Sequence, residues 1–306
     1  MEKNYLEYIN KYLSESAVMD PYPTGLEPKY SIDSTIKAVV FDIYGTIIIS
    51  ASGDIDESVI SAENLRTAMD ASGIMLSDSL TDSRAVFTEM LDSFKGEINR
   101  VHREGRTETR PYPEVDILKI WETILYDFRD KNALNFNGSL CVRCFTFIFE
   151  LLSNNIFPMP GMKEIINTLA EKKMPLGIIS NAQFYTPVIL NYFLNSTITE
   201  DEEIKPFDKD LTIFSYRHMR SKPDRYLFEM LRDNCKSKYK IMPSEILFVG
   251  NDMFRDIVPG HKVGFKTALF AGDSRSLKLR KEKPEVADVS PDYIITGLNQ
   301  ILKIVT

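Results

Sequence analysis

The chain has 306 residues, of which 43% are hydrophobic and 26% charged, so one large or two modest domains with a buried core are expected. A net charge of −7 and the lack of a long basic block argue against a nucleic-acid or anionic-membrane partner. No apolar run could cross a bilayer, the start lacks a secretion-signal pattern, and three cysteines are too few for a disulfide framework. These features predict a cytoplasmic protein and do not indicate its oligomeric state.

Residues 1–35 predict a helix followed by a linker. Apolar residues recur at helical spacing from Tyr5 to Leu13, and the segment DPYPTGLEP then breaks the pattern. We expect this segment to lie outside the main fold.

Buried strands that alternate with helices make up most of the remaining chain. The first strand candidate, 37–43, is continuous and β-branched, and later strands are MPLGIIS, LTIFSY, EILFVG and GFKTALF. Helices are predicted between strands, including PDRYLFEMLRDN, which has proline in its first turn. This alternation predicts an α/β fold of the Rossmann type, a doubly wound parallel sheet.

The interval between the first two predicted strands is far longer than the crossover of about a dozen residues that a parallel pair needs. Inside it, apolar residues in 87–101 and in 117–128 recur at helical spacing. We therefore predict an inserted all-helical cap domain at 55–157. The core domain would comprise 36–54 and 158–306.

Polar side chains gather at the carboxyl ends of the predicted strands, where open parallel sheets bind ligands. Asp42, Ser180 and the Asn251–Asp252 pair lie at such ends, and Lys222 lies just before a helix. Each residue alone would be ordinary turn or loop composition. Together they predict a functional site at one edge of the sheet.

Four segments in order, FDIYGT, IISN, SKP and VGNDMFRD, resemble the motifs of the haloacid dehalogenase superfamily of hydrolases. The resemblance covers the whole sheet domain, places the insert at the usual cap position, and is specific for the superfamily but not for a substrate. It implies that Asp42 is the nucleophile and forms an enzyme ester that water later cleaves. It also implies that Lys222 offsets charge on the nucleophile and in the transition state.

The same resemblance implies further site residues and a Mg²⁺ cofactor, a hard cation that prefers oxygen ligands. The implied Mg²⁺ ligands are Asp42, the backbone carbonyl of Tyr44, Asp252, Asp256 and, in a register shifted by one residue, Asn251. A small anionic substrate is implied as well. Its candidate binding residues are Tyr44, Thr46, Ser180 and Asn181. In the cap segment NRVHREGRTETRPYPE, whose interleaved glutamates favour a solvated charged face, Arg110 is a further candidate because neighbouring prolines would fix its backbone.

Two departures from the family pattern leave undecided which type of substrate bond the protein cleaves. Tyr44 stands where the phosphatases have an aspartate that protonates the leaving alkoxide, whereas the dehalogenase branch has Asp-x-Tyr. In the opposite direction, Asp252 and Asp256 are kept, although metal-free dehalogenases have mainly serine and asparagine there. The insert also lacks the helix with arginine and aromatic residues that grips a haloacid carboxylate, Arg66 and Arg84 being the nearest candidates.

Three hypotheses follow. The favoured one is a Mg²⁺-dependent hydrolase of a small phosphorylated metabolite, working through an aspartyl-phosphate on Asp42. The first alternative is a metal-independent hydrolase of the 2-haloacid dehalogenase type, working through a carboxyl ester on Asp42. The second alternative is a non-catalytic protein that binds an anion or a partner, against which the presence of both Asp42 and Lys222 argues.

Overall fold

The computed structural model describes residues 2–53, 60–78 and 82–305. In these residues the strands are β1 (Ala38–Phe41), β2 (Ile48–Ser50), β3 (Met75–Leu76), β4 (Leu134–Asn135), β5 (Ile156–Pro158), β6 (Leu176–Ser180), β7 (Thr212–Phe214), β8 (Ile246–Gly250), β9 (Lys266–Phe270) and β10 (Tyr293–Ile295). The helices are α1 (Glu2–Glu15), α2 (Ala62–Ser72), α3 (Ser83–Gly105), α4 (Ile117–Asp130), α5 (Ser139–Ser153), α6 (Met162–Glu171), α7 (Thr186–Asn195), α8 (Ser215–His218), α9 (Arg225–Tyr239) and α10 (Val258–Lys262). None of these helices is both long enough and apolar enough to span a membrane.

In the described part of the chain, a sheet of six parallel strands forms the core, in the order β10-β9-β8-β1-β6-β7. The central strand β1 is buried on both faces, as its continuous apolar sequence predicts. Val39 and Phe41 pack in the apolar cluster that contains α6 and α7, whereas Ala38 and Val40 pack in the cluster that contains α9. Helices therefore cover both faces, and the predicted doubly wound parallel sheet is confirmed.

An inserted helical cap follows the first strand of the sheet. The chain enters the cap through β2 and leaves it through β5, and these two strands pair in antiparallel orientation. The cap helices pack around the fully buried Trp121, whose ring stacks on Phe94 with 4.5 Å between centroids. The structure adds a short antiparallel pair, β3 with β4, that helical periodicity did not predict. The boundary at residue 55 lies outside the described residues, and the limits 55–157 stay a prediction.

The N-terminal segment contacts both the cap and the core. Ile9 and Leu13 of α1 are buried in the main apolar cluster, and the Tyr12 hydroxyl donates a hydrogen bond to the Leu151 carbonyl of α5 at 3.1 Å. Further along, Lys29 and Ile294 of β10 exchange two backbone hydrogen bonds of 2.8 Å. The expectation that residues 1–35 lie outside the main fold is therefore wrong, because the apolar face of α1 packs against the cap.

Candidate active site

The carboxyl ends of three adjacent strands meet at one small cavity. Asp42 follows β1, Ser180 ends β6, and Asp252 lies two residues after the end of β8. These side chains, together with Lys222 and Asn181, line a cavity of about 50 Å³. The topology thus brings the predicted residues to one edge of the sheet.

Asp42 is held with one carboxylate oxygen occupied and the other available. It is only 6% exposed, and its backbone amide donates to the Val249 carbonyl at 2.9 Å. Its Oδ1 accepts hydrogen bonds from Ser180 Oγ at 2.9 Å and from Lys222 Nζ at 2.5 Å. Among the described residues, no hydrogen-bond donor reaches Oδ2. Oδ2 is therefore the atom of Asp42 best placed to attack a substrate.

Lys222 links Asp42 to a second buried carboxylate. Its Nζ lies 2.6 Å from Asp256 Oδ1, and its backbone amide donates to Asn181 Oδ1 at 2.7 Å. Burial alone would lower the pKa of Lys222, but Asp256 and Asp42 raise it above its usual value, so the side chain stays cationic. Burial raises the pKa of Asp256 to about 7, against the opposing effect of Lys222.

The turn after Asp42 is fixed by a small buried network. Gly45 has φ +82°, and a Cβ there would lie 2.5 Å from Ser276 Cβ and 2.6 Å from Asn251 Nδ2. Thr46 is fully buried and donates to Asn251 Oδ1 at 3.0 Å, while Asn251 Nδ2 donates to the Ser276 carbonyl at 2.6 Å. Thr46 and Asn251 thus hold the turn in place, and the Thr46 hydroxyl donates to protein rather than to a ligand.

Both carboxylate oxygens of Asp252 are bound by protein donors. Oδ1 caps the following helical turn by accepting from the amides of Phe254 at 2.9 Å and Arg255 at 3.1 Å. Oδ2 accepts from Nε and Nη2 of Arg280, at 3.0 and 2.9 Å. Asp252 lines the small cavity, but its charge is compensated by an arginine.

The predicted Mg²⁺ ligand set is not assembled as a metal site. Asp252 binds Arg280, Asn251 binds Thr46 and Ser276, and Asp256 accepts from Lys222 and from the amide of Asp252. Across the residues that the structure describes, no group of three or more His, Cys, Asp or Glu side chains is arranged to hold a metal ion. Because ammonium, guanidinium and amide donors already satisfy these oxygens, the residues present do not fit Mg²⁺.

Tyr44 lines the same cavity with a phenol that remains protonated. Its hydroxyl is 3.0 Å from Thr186 Oγ1. Burial raises the pKa of Tyr44 well above its usual value, the Thr186 hydrogen bond opposes this, and the charges of Glu150 and Asp42 add to it. A phenol with a raised pKa is a weak proton donor near neutral pH.

A larger cavity of about 550 Å³ lies between the cap and the core. It shares Tyr44, Asn181, Lys222 and Arg255 with the small cavity that Asp42 lines, so the two cavities adjoin. Much of its wall is apolar and comes from both domains, including Phe94, Ile98, Val115, Phe149, Ile156 and Ile189. Its volume lies within the range of pockets that bind small organic ligands.

Glu150 is an acidic residue in this mostly apolar wall. It projects from α5, and its Oε2 accepts a hydrogen bond from the Tyr185 hydroxyl at 3.0 Å. Burial raises the pKa of Glu150 to about 7, against the opposing effect of that hydrogen bond. Glu150 therefore changes charge near neutral pH.

The predicted cap cation Arg110 is not brought to the site. It lines neither cavity, and its Nε donates to the Gly105 carbonyl at 2.8 Å. Arg66 and Arg84 are exposed and also line neither cavity. The basic residues that do line the larger cavity include Lys95, His102, Arg106 and Arg255.

Sequence reasoning missed three residues that shape the site: Ser276, Arg280 and Glu150. Ser276 and Arg280 lie in the stretch DSRSLKLRKEK, which reads as an ordinary charged loop. Glu150 ends a long apolar run, FTFIFE. A carboxylate on an otherwise apolar helix is the feature of the sequence that could have indicated a buried acidic residue.

The fold and the site together define a capped α/β enzyme whose candidate nucleophile is a carboxylate. Residues 36–264 match the family model described as haloacid dehalogenase-like hydrolase. The chain therefore belongs to that family of hydrolases. No curated protein sequence shows significant similarity to it.

Several solved structures of low sequence identity are similar to this chain. A 2-haloacid dehalogenase from Pseudomonas syringae pv. Tomato is 18% identical, with a TM-score of 0.51 over 88% of this chain and 97% of its own. A predicted phosphoglycolate phosphatase from Haemophilus somnus is 18% identical, with a TM-score of 0.46 over 89% and 99%. An L-2-haloacid dehalogenase from Xanthobacter autotrophicus with covalently bound chloropropionic acid is 17% identical, with a TM-score of 0.43 over 87% and 96%.

Proposed function

We propose that the protein hydrolyses a small organic acid by attack of Asp42 on carbon, with release of a leaving group that departs as an anion. The carbon–halogen bond of a 2-halo acid has this chemistry. Oδ2 of Asp42 forms a bond to the carbon while the halide leaves with its electron pair. Water then attacks the carboxyl carbon of the resulting ester and gives up one proton, which is delivered to the departing alkoxide oxygen, so that the hydroxy acid is released and the Asp42 carboxylate restored.

The observation that carries this proposal is the state of Tyr44. A protonated phenol that contacts Thr186 stands where the phosphatase motif has an aspartic acid. A leaving alkoxide needs a proton, and loss of a matched general acid typically costs about 10²–10⁴ in rate. A halide needs no proton, so the residue at position 44 imposes no such cost on its departure.

The charges around Asp42 support the same chemistry. Lys222 and Ser180 fix Oδ1, which leaves Oδ2 to attack, and Lys222 remains cationic throughout. Asp256, with a pKa of about 7, is the candidate base that takes the proton from the attacking water. Arg255 lines both cavities and is the candidate partner for the substrate carboxylate.

A Mg²⁺-dependent phosphatase is the second candidate. It is supported by the presence of three aspartates, Asp42, Asp252 and Asp256, along the wall of the small cavity. It would require Asp252 to exchange Arg280 for a metal ion. The sequence favours a phosphatase, but the contact of Arg280 with Asp252 argues against one, and the proposed substrate remains a small molecule.

Release of halide and of phosphate by the same preparation separates the two candidates. We expect 2-bromopropionate or 2-bromohexanoate to release bromide in the presence of EDTA, and Asp42→Asn to lower the rate by about 10⁴-fold or more. Asparagine keeps the shape of the side chain but is a poor nucleophile. A folded Asp42→Asn protein is therefore the matched control for bromide release that does not depend on the nucleophile. Phosphate release from p-nitrophenyl phosphate that requires Mg²⁺, without bromide release from either acid, would favour the phosphatase instead.

A further inference from the structure

Asp252 and Arg280 form a largely buried ion pair with several hydrogen bonds, unlike an ion pair on the protein surface. The side chain of Asp252 is 7% exposed and that of Arg280 is 23% exposed. Two guanidinium nitrogens of Arg280 reach the same oxygen, and two backbone amides occupy the other. The carboxylate is thus held on both sides by donors that leave it little freedom to turn.

The loop that carries Arg280 is joined to the strand end after β8. Lys278 donates its amide to the Asn251 carbonyl at 3.1 Å, and the Met253 amide donates to the Lys278 carbonyl at 2.9 Å. Arg280 itself has φ +47°, in the left-handed region that non-glycine residues seldom adopt. The backbone is therefore strained at Arg280, the residue whose side chain contacts Asp252.

The buried carboxylates of the site contact cationic side chains of the same chain. Lys222 contacts Asp42 and Asp256, and Arg280 contacts Asp252. Two fixed cations thus serve three buried carboxylates. A divalent ion at Asp252 would compete with the guanidinium of Arg280 for Oδ2 and would have to displace it, because two positive groups so close together repel each other.

We propose that Arg280 is the resident cation of this site and takes the position at Asp252 that a divalent metal would otherwise occupy. Arg280 is a positioning residue, because it acts through Asp252 and not on the substrate. Its role is to compensate the charge of Asp252 and to keep divalent ions out of the site. Arg280 at Asp252 is compatible with the metal-independent function proposed above and incompatible with the Mg²⁺-dependent candidate, which would need the metal ion in its place.

Binding of Mn²⁺ to the full-length protein tests this inference without any substrate. Titration is followed calorimetrically for wild type, Arg280→Ala, and Arg280→Ala combined with Asp252→Asn. We expect no binding to wild type at millimolar Mn²⁺. Arg280→Ala should bind Mn²⁺ with a dissociation constant at least about tenfold below the highest concentration at which wild type shows no binding, the scale on which groups that hold metal ligands act. Adding Asp252→Asn should abolish this binding, because it removes the carboxylate that Arg280 no longer contacts.

Two further variants complete the design. Lys281→Ala removes an exposed cation from the adjacent position and should leave Mn²⁺ binding unchanged. Arg280→Lys keeps a cation near Asp252 and should stay close to wild type. Arg280→Gln, which is neutral and of similar length, should gain Mn²⁺ binding and covers the case in which Arg280→Ala does not fold. Binding of Mn²⁺ to wild type that Asp252→Asn abolishes would overturn the inference. So would a folded Arg280→Ala protein with no gain in affinity.

Discussion

The free energy of unfolding of wild type should fall as the pH rises because Glu150 ionises, and replacing Glu150 by glutamine should abolish this contribution. Burial raises the pKa of Glu150 from 4.5 to about 7, against the hydrogen bond from Tyr185. The folded protein therefore binds this proton more tightly than the unfolded chain does. The free energy of unfolding consequently falls as the pH rises through the interval between these two pKa values.

The size of the effect follows from that interval. Each pKa unit corresponds to about 1.4 kcal/mol, so the full shift would amount to about 3 kcal/mol. Glu150 is only partly buried, and solvent screening reduces this to about 1–3 kcal/mol. Glutamine can still accept the Tyr185 hydrogen bond but cannot ionise. Its stability relative to wild type should therefore rise by that amount between about pH 5 and about pH 8.

Urea denaturation of the two proteins at several pH values measures this difference. Asp256 titrates in the same range, but it is present in both proteins and drops out of the comparison. Glu7→Gln, at an exposed position of α1, is the matched control for the loss of one carboxylate. A constant difference between wild type and Glu150→Gln at all pH values would refute the reasoning.

Two further substitutions test the turn after Asp42. Gly45→Ala should lower the free energy of unfolding by about 2 kcal/mol or more, because alanine is strained at φ +82° and its Cβ would overlap Ser276 and Asn251; a variant as stable as wild type in urea would show that this packing is wrong. Tyr44→Phe should change bromide release by less than about tenfold, because the hydroxyl contacts Thr186 and supplies no proton. A loss of about 10²-fold or more in steady-state rate would instead assign proton transfer to this phenol.

The parts of the site that lie at strand ends could be predicted from the sequence. Asp42, Ser180 and Asp252 each follow or end a buried apolar strand, and parallel topology brings such ends together. Lys222 could be assigned only through the resemblance of SKP to a family motif, because nothing in its local pattern indicates a contact with Asp42. The absence of a nucleic-acid partner and the cytoplasmic location stay predictions.

Contacts between distant segments could not be predicted. The resemblance to the family motif implies a metal ion at Asp252, but a loop 28 positions later brings Arg280 onto this carboxylate. The amphipathic pattern of α1 indicated that one face must be buried without indicating where. In the structure Ile9 and Leu13 pack within the main apolar cluster, so the helix is part of the fold.

Labelling with heavy-oxygen water (H₂¹⁸O) tests the covalent role of Asp42 most directly. Wild type is incubated with 2-bromopropionate or 2-bromohexanoate in labelled water with EDTA, and the peptide containing Asp42 is analysed by mass spectrometry. If water cleaves a carboxyl ester at the carbon of Asp42, repeated turnover must place label in that side chain. We predict labelled Asp42 together with bromide release. Bromide release in which Asp42 stays unlabelled and all label appears in the released hydroxy acid would contradict the ester, because water would then attack the substrate directly.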